Sequence, residues 1–557
     1  MRFSALGDSA MVVECGEGIS PQTLQRVRVF ANAVEHAAIP GVTDIVPAFA
    51  SVTLFYLPAK IGEPGELPYR QMLRVLEGIA AALPSGGWPA VGNETKVRQI
   101  PVCYGGEQGP DLPTVARHTA LSPAEVIKLH GEGDYMVHAI GFSPGFPYLG
   151  GLAPALHAPR LATPRVRVAA GSVGIGGAQT GVYPLSTPGG WQLIGRTPLK
   201  LFDHRRATPS LLQIGDRVKF RAITAEEFIA AESVVVETPE VTRQSPHVSA
   251  ARVRVLRGGM LTTVQDLGRL GHRAEGVPLT GAADPVAMRV ANWLVGNEEN
   301  AATLEFTLVG PELEFLADAV VALGGAAFDE FPRWQPVQVP AGTRLKFGAA
   351  RAGCRGYLAI AGGFDVETVL GSAGTYLRAA FGGFGGRALR DGDEIAWHAQ
   401  TRQVTSGWRI DQRVLPAYGS APTLRVVRGA QAEPLLDALL TGEFTVTPRS
   451  DRMGLRLAGP SMPRGEMKEL VSTAVAPGTI QVPADGRPII LLADAQTIGG
   501  YPQVAHVITV DLPLAAQLRP GDRLRFQEVS LEEAQKLLLA REHALAILHE
   551  GLTGKFR

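Results

Sequence analysis

Two short passages of this chain recur in the same order, and this recurrence restricts the fold more than any other feature. Ala178-Gln179-Thr180-Gly181-Val182-Tyr183-Pro184 is answered by Ala495-Gln496-Thr497-Ile498-Gly499-Gly500-Tyr501-Pro502, one glycine longer. Downstream of each stands one strand signature, IGDRVKF at 214–220 and PGDRLRF at 520–526, with DGDEIAW at 391–397 as a weaker third landmark. Two landmarks in one order imply that the two halves hold related β-barrel-like units. The 65 glycines and 41 prolines, without a collagen-like period, fit many short strands separated by turns.

Between the copies, ETPEVTRQSPHVSAA at 237–251 is polar, holds two prolines and reads as the linker. Before it, residues 1–95 alternate strands (AMVVEC, SVTLFYL) with helical segments (PQTLQRVRVFANAVEHA, PYRQMLRVLEGIAAAL), the pattern of a small α+β subdomain. Residues 96–236 are strand-rich, interrupted by a helix with Ser122 as cap, Pro123 in first position and Glu125 at the capping-box site. After the linker come a β-rich subdomain at 252–420, a second barrel at 421–529 and a C-terminal amphipathic helix at 530–557 capped by Ser530. The fold class expected is mainly β with α+β.

The charge balance of 53 basic against 53 acidic residues gives no field that favours nucleic acid or a membrane surface. Cys15, Cys103 and Cys354 are odd in number and far apart, which suits a reducing compartment. The start MRFSALGDSA has no apolar core behind a basic end, and no run reaches 18 apolar residues, so a cytoplasmic location is expected.

GFSPGFPYLGG at 141–151 is the stiffest stretch. Ser143-Pro144-Gly145-Phe146 reads as a type II turn, with proline presetting φ and glycine taking the positive φ that follows. A stiff loop bearing Phe142, Phe146 and Tyr148 forms either an apolar plug in a domain joint or a ligand wall. AGSVGIGGAQTGVYPLSTPGGW at 170–191 offers backbone donors that could form an oxyanion nest, or else tight barrel corners. GxxxxGK[ST], GxGxxG, HExxH and CxxC are missing, so no metal site is proposed from motif. Ser172 lacks the first glycine of a nucleophile elbow. Lys468 in GEMKEL lacks the methionine that follows a biotin-attachment lysine. Asp266, Arg269, Asp451 and Arg452 read as structural ion pairs or loop caps.

GFSPGFPYLGGL, PRVRVAAGSVGIGGAQTGVYPLSTPGGWQLIGRTP and LLQIGDRVKF resemble the B-type subunit of bacterial 5-oxoprolinase, the allophanate hydrolase subunit 1 family. LTTVQDLGRLGH, GVPLTGAADPVAMRVANWLVGN, LEFTLVGPELEF, SDRMGLRLAGP, IQVPADGRPIILLADAQTIGGYPQVAHVI and LRPGDRLRF resemble its C-type subunit, the allophanate hydrolase subunit 2 family. Related modules form the carboxyltransferase part of urea carboxylase. The resemblance implies tandem cyclophilin-like β-barrels in a B–C fusion, a hydrolase acting with a separate A-type subunit of 5-oxoprolinase, and a small lactam or amide substrate. It also implies ATP with Mg at a shared site, with biotin only under a carboxyltransferase alternative. A further alternative is a binding protein that inhibits a histidine kinase or relieves that inhibition. The sequence departs from the family at LGSAGT, 370–375, where Ala373 replaces an arginine, and at FPRWQP, 331–336.

From this resemblance the expected site takes His138, Tyr148, Asp451 and Arg452 as catalytic. Phe142, Pro144, Gly145, Phe146, Gly171, Ser172, Gln179, Thr180, Tyr183, Gln496, Thr497 and Tyr501 would bind substrate. The 141–151 loop and the 170–191 loop would share one pocket, and Asp451, Arg452, Gln496 and Tyr501 would form its counterpart in the second half.

Overall fold

In a computed structural model the described residues are 1–61, 65–83, 97–236, 251–328, 331–399, 404–462 and 470–556. Residues 237–250 of the linker read at 237–251, and Lys468, lie outside them.

The N-terminal unit is a four-stranded antiparallel sheet under the helices Pro21–Ala37 and Pro68–Ala82. Alternation along Ala10–Glu14 sends Met11 and Val13 into the core with Phe30, Leu54 and Leu76. Ser20 starts the first helix by accepting from Thr23 N at 3.0 Å. The sheet then runs into the next unit, because Val42–Ala48 pairs with Tyr135–Ile140 at Ala48 and Ala139.

Seven strands close the first barrel: Val97–Tyr104, Tyr135–Ile140, Pro147–Gly150, Ser172–Gly176, Gln179–Val182, Gln192–Arg196 and Arg217–Ala222. Seven more close the second: Thr423–Arg428, Phe444–Val446, Gly454–Ala458, Thr479–Gln481, Ile489–Leu491, Gln503–Val507 and Arg523–Glu528. Counted along the chain, both have the spatial order 1-6-4-5-3-2-7. In each the first and last strands are parallel, and every other neighbouring pair is antiparallel. The two halves are therefore siblings in topology.

The Gly-Asp-Arg landmark has one job in both barrels. Gly215 (φ 89°) and Gly521 (φ 93°) take the left-handed turn, which glycine adopts without strain. Asp216 accepts from Gln213 N at 3.0 Å and Asp522 from Arg519 N at 2.8 Å, which turns the chain into the closing strand. The other landmark is out of register. Gln179 opens the fifth strand of its barrel, whereas Gln496 lies in the connection after the fifth strand of the other. The glutamines that open equivalent sixth strands are Gln192 and Gln503.

Residues 252–399 form two five-stranded sheets around one core, including Val253, Phe315, Val264, Leu304 and Leu358. DGDEIAW builds the same aspartate turn here, Asp393 accepting from Arg390 N at 2.7 Å, but leads into an open sheet. The helix Leu531–Thr553 crosses both halves. Gln535 Nε2 donates to Asp8 O at 3.0 Å, Leu545 and Leu552 join the core around Pro285–Leu294, and Glu542 pairs with Arg289 at 2.8 Å. No described helix is long and apolar enough to cross a membrane.

Candidate functional site

The outer face of the first barrel is shaped by missing side chains. Val173, Ile175, Val182 and Leu149 point into the barrel core, so the alternate positions Gly174, Gly176 and Gly181 face outward. The Trp191 indole lies across them. A Cβ on Gly176 would stand 2.6 Å from Trp191 Nε1, and one on Gly181 3.0 Å from its Cζ3. Gln179 is the register partner of Gly176, and directly opposed residues share a face, so Gln179 lies on the Trp191 side. Phe146 fills the centre of the cluster, edge-on to Trp191 at 5.6 Å, Tyr183 at 5.1 Å and Tyr148 at 4.9 Å.

The 141–151 loop joins this face to the second half. Phe146 N donates to Ser143 O at 3.0 Å and Gly145 has φ 75°, the turn that Pro144-Gly145 requires. Gly145 N donates to Glu275 O at 2.8 Å, and a Cβ on Gly141 would overlap Ile498. The apolar plug is present: Phe146 is buried, with Phe142 and Tyr148 partly buried against it. Phe49 of the N-terminal unit continues the line, 5.6 Å from Tyr148 and stacked on His138 at 6.2 Å. Phe49, Phe55 and Ala139 share one cluster with Ala474 and Ile498 of the second half.

Beyond Ile498 lies a small cleft, lined by Arg273, Pro278, Leu279, Val475, Gln496 and Thr497 among others. The Arg273 guanidinium lies 4.0 Å from the Phe55 ring centre and 3.7 Å from Asp44. Asp44 also accepts from the amides of Gly271 at 2.9 Å and Arg273 at 3.1 Å, tying the N-terminal sheet to the second half. Burial lowers the Arg273 pKa and raises that of Asp44, each opposed by the other's charge. Along this seam His138 Nδ1, Ser143 Oγ, Arg273 Nε, Gln481 Nε2 and Thr497 Oγ1 are buried without a hydrogen-bond partner. Such groups are rare in folded proteins and mark a place where a ligand or water completes the bonding. Burial pushes His138 below the ordinary histidine range, leaving a neutral imidazole at pH 7.

Other expected residues turn away from the seam. Thr180 Oγ1 donates to Gly174 O at 3.0 Å and meets His130 Nε2 at 3.0 Å, inside the barrel wall. Ser172 is buried, and its amide donates to Ala169 O at 3.3 Å. Gly171 N donates to Tyr183 O at 2.7 Å and Gly177 N to Ala158 O at 2.8 Å, so these amides close barrel corners and form no nest. Tyr183 is a buried member of the aromatic cluster, its phenol pushed up to about 12 by burial. Arg452 is buried in an ion-pair network with Asp494 at 2.9 Å and with Glu305, donating also to Gly281 O at 2.5 Å. Removing one partner there would strand a buried charge, which is a structural role. Asp451 is exposed and caps Met453 N at 2.8 Å, and Tyr501 is also exposed. Of the expected second-half cluster only Gln496 reaches the cleft, where Thr497, expected separately to bind substrate, lies beside it.

Two seam residues escaped the sequence. Arg273 follows the Gly271-His272 turn and looks like any surface arginine, and Phe49 sits in a tight strand turn. Among the described residues no group of three His, Cys, Asp or Glu side chains could hold a metal ion. The amides of Gly171, Ser172, Gly177 and Tyr183 are all engaged in backbone hydrogen bonds, so these four offer no nest for a phosphate.

Fold and seam together define a tandem-barrel carboxyltransferase-type chain, with a small polar cleft lined by residues of its second half. Residues 1–212 match the model of the carboxyltransferase domain, subdomain C and D, and residues 275–528 that of subdomain A and B. The first half is 46% identical over 237 residues to the B-type subunit of 5-oxoprolinase from Bacillus subtilis, covering 41% of this chain and 95% of that protein. The second is 39% identical over 294 residues to the C-type subunit of 5-oxoprolinase from Escherichia coli, covering 51% of this chain and 93% of that protein. A crystal structure of TTHA0988 superposes with TM-score 0.80 at 37% identity, covering 93% of this chain and 99% of that one. The chain belongs to the family of B-type and C-type 5-oxoprolinase subunits and carries both modules in one polypeptide.

Proposed function

We propose that this chain is the B–C component of an ATP-dependent 5-oxoprolinase, opening 5-oxoproline to glutamate together with a separate A-type subunit. The observation that carries this reading is the cleft at the seam. Arg273, Gln496 and Thr497 line it, Gly141 of the first half lies against Thr497, and Arg273 Nε and Thr497 Oγ1 lack hydrogen-bond partners. A lactam is a weak electrophile, so its carbonyl oxygen must be activated by phosphorylation before water opens the ring. Donors that meet the developing charge in a water-poor site supply the stabilisation such a reaction needs. Gln496 and Arg273 are suited to hold the lactam, and neutral His138 to accept a proton from water. Nucleotide and Mg are assigned to the A-type partner.

The test is phosphate release by the chain mixed with its A-type partner, with and without 5-oxoproline. Release should depend on 5-oxoproline, and Gln496→Ala should lose about 2–4 kcal/mol of transition-state stabilisation, the range for a lost charge-stabilising donor. Unchanged turnover in Gln496→Ala and His138→Asn would overturn the site. Carboxylation of an amide by added biotinylated carrier would overturn the reaction.

A further inference from the structure

Arg160 is an exposed arginine beside the aromatic face of the first barrel. Arg165 pairs with Asp111 at 2.7 Å, Arg167 donates to Ser186 Oγ at 3.0 Å, and Arg196 pairs with Glu232 at 3.0 Å. Among the described residues no carboxylate pairs with Arg160, whose guanidinium carbon lies 6.0 Å from the centre of the Trp191 ring. The backbone around it is nonetheless fixed on both sides. Gln192 Nε2 donates to Pro159 O at 3.0 Å, and Leu161 N donates to Gly190 O at 2.7 Å. These bonds clamp the chain before and after Arg160 to the segment that carries Trp191, which limits where the guanidinium can go. Its charge opposes the upward push of burial on the phenols of Tyr148 and Tyr183.

Two further donors lie on the same outer face of the barrel. Trp191 Nε1 lies over Gly176 and donates to no protein group among the described residues, and Gln179 projects on the same side as the position opposite Gly176. The neighbouring walls are the partly buried rings of Phe142 and Tyr148. An unneutralised guanidinium with an indole N–H and an amide beside it matches a carboxylate, and the rings match the flat apolar body attached to it.

We infer that Arg160, Trp191 and Gln179 form an anion subsite for small cyclic carboxylates on the outer face of the first barrel, separate from the cleft at Gln496. It deepens the 5-oxoproline reading, on which it rests, by assigning to Arg160 the recognition of the substrate's carboxylate on arrival. The subsite reads the carboxylate and the ring, and has no need of the lactam.

The test is titration of the full chain while following tryptophan fluorescence, with Trp191→Phe to identify the reporting residue. The ligands are 5-oxoproline, cyclopentanecarboxylate, which has the carboxylate without the lactam, and 2-pyrrolidinone, which has the lactam without the carboxylate. The first two should bind with similar affinity and 2-pyrrolidinone at least tenfold more weakly. Arg160→Ala should weaken both carboxylates tenfold or more, Arg160→Lys should recover part of that loss, and added salt should weaken binding. Equal binding of 2-pyrrolidinone, or unchanged carboxylate binding in Arg160→Ala, would overturn the subsite. Gln496→Ala should leave the titration unchanged, so carboxylate binding without turnover would sink the 5-oxoprolinase reading and keep the subsite. Turnover insensitive to Arg160 would do the reverse.

Discussion

Gly176 has no side chain because Trp191 occupies the place where one would go. Gly176→Ala forces the indole outward or bends the strand, and overpacking of this kind costs about 1–3 kcal/mol. Chemical denaturation should read that loss, with a shifted tryptophan emission as its local sign. Two buried histidines make a second prediction at this scale. Burial lowers His130 to about 3 and His506 to about 4, against an ordinary value of 6.5. Folded-state values below the unfolded ones mean that the unfolded chain takes up the protons first as pH falls. Stability is therefore full above about 6.5 and declines through the interval down to the folded values, by up to about 1.4 kcal/mol per pH unit for each histidine. Denaturation midpoints measured between pH 7.5 and 5 should fall, and His130→Phe should flatten that slope while lowering stability at neutral pH. A midpoint independent of pH in this range would contradict the burial of both rings.

Among elements, the 141–151 loop carries the seam. Gly141→Val pushes a branched side chain into Ile498 while leaving the interior of each barrel untouched. The expected result is faster hydrogen exchange at 495–499 and loss of turnover, with little change in the cores; exchange unchanged at 495–499 would refute the contact. The turn at the centre of this loop was legible because proline and glycine dictate its dihedrals, and the aspartate turn before each closing strand was legible for the same reason. Register was not. The match between Gln179 and Gln496 is a likeness of letters between a strand and a connection, and only pairing partners reveal that Gln192 and Gln503 are the equivalents. Site residues divided along the same line. His138, Tyr148, Gln496 and Thr497 lie along the seam, whereas Thr180 alternates into the barrel wall and Arg452 answers the charges of Glu305 and Asp494 from distant segments. Arg273 and Arg160 gain significance only from neighbours far along the chain, which no local pattern encodes.

At the scale of the molecule, contacts besides those of the 141–151 loop also hold the halves together. Asp44 binds Gly271 and Arg273, Asp8 accepts from Thr509 N at 2.9 Å and its hydroxyl at 2.5 Å, and Phe202 packs with Val277, Val369 and Phe381. The C-terminal helix adds a clasp from the second half onto the first, with Gln535 bonded to Asp8, Tyr56 and Tyr69. Burial raises the pKa of Asp8, so its hydrogen bonds to Thr509 are what keep the carboxyl satisfied inside the joint. Such a joint does not need the linker for its contacts; the linker only raises the concentration of one half near the other. A protease site placed within 237–250 and cut to completion should therefore leave both fragments eluting as one particle, with 5-oxoproline-dependent turnover retained. Adding Asp8→Ala to the nicked chain removes the acceptor for Thr509 and should promote separation on dilution, whereas Asp8→Ala in the uncut chain should stay a single particle. Separation of the nicked but otherwise unaltered chain would show that the linker, and not the joint, holds the cleft together.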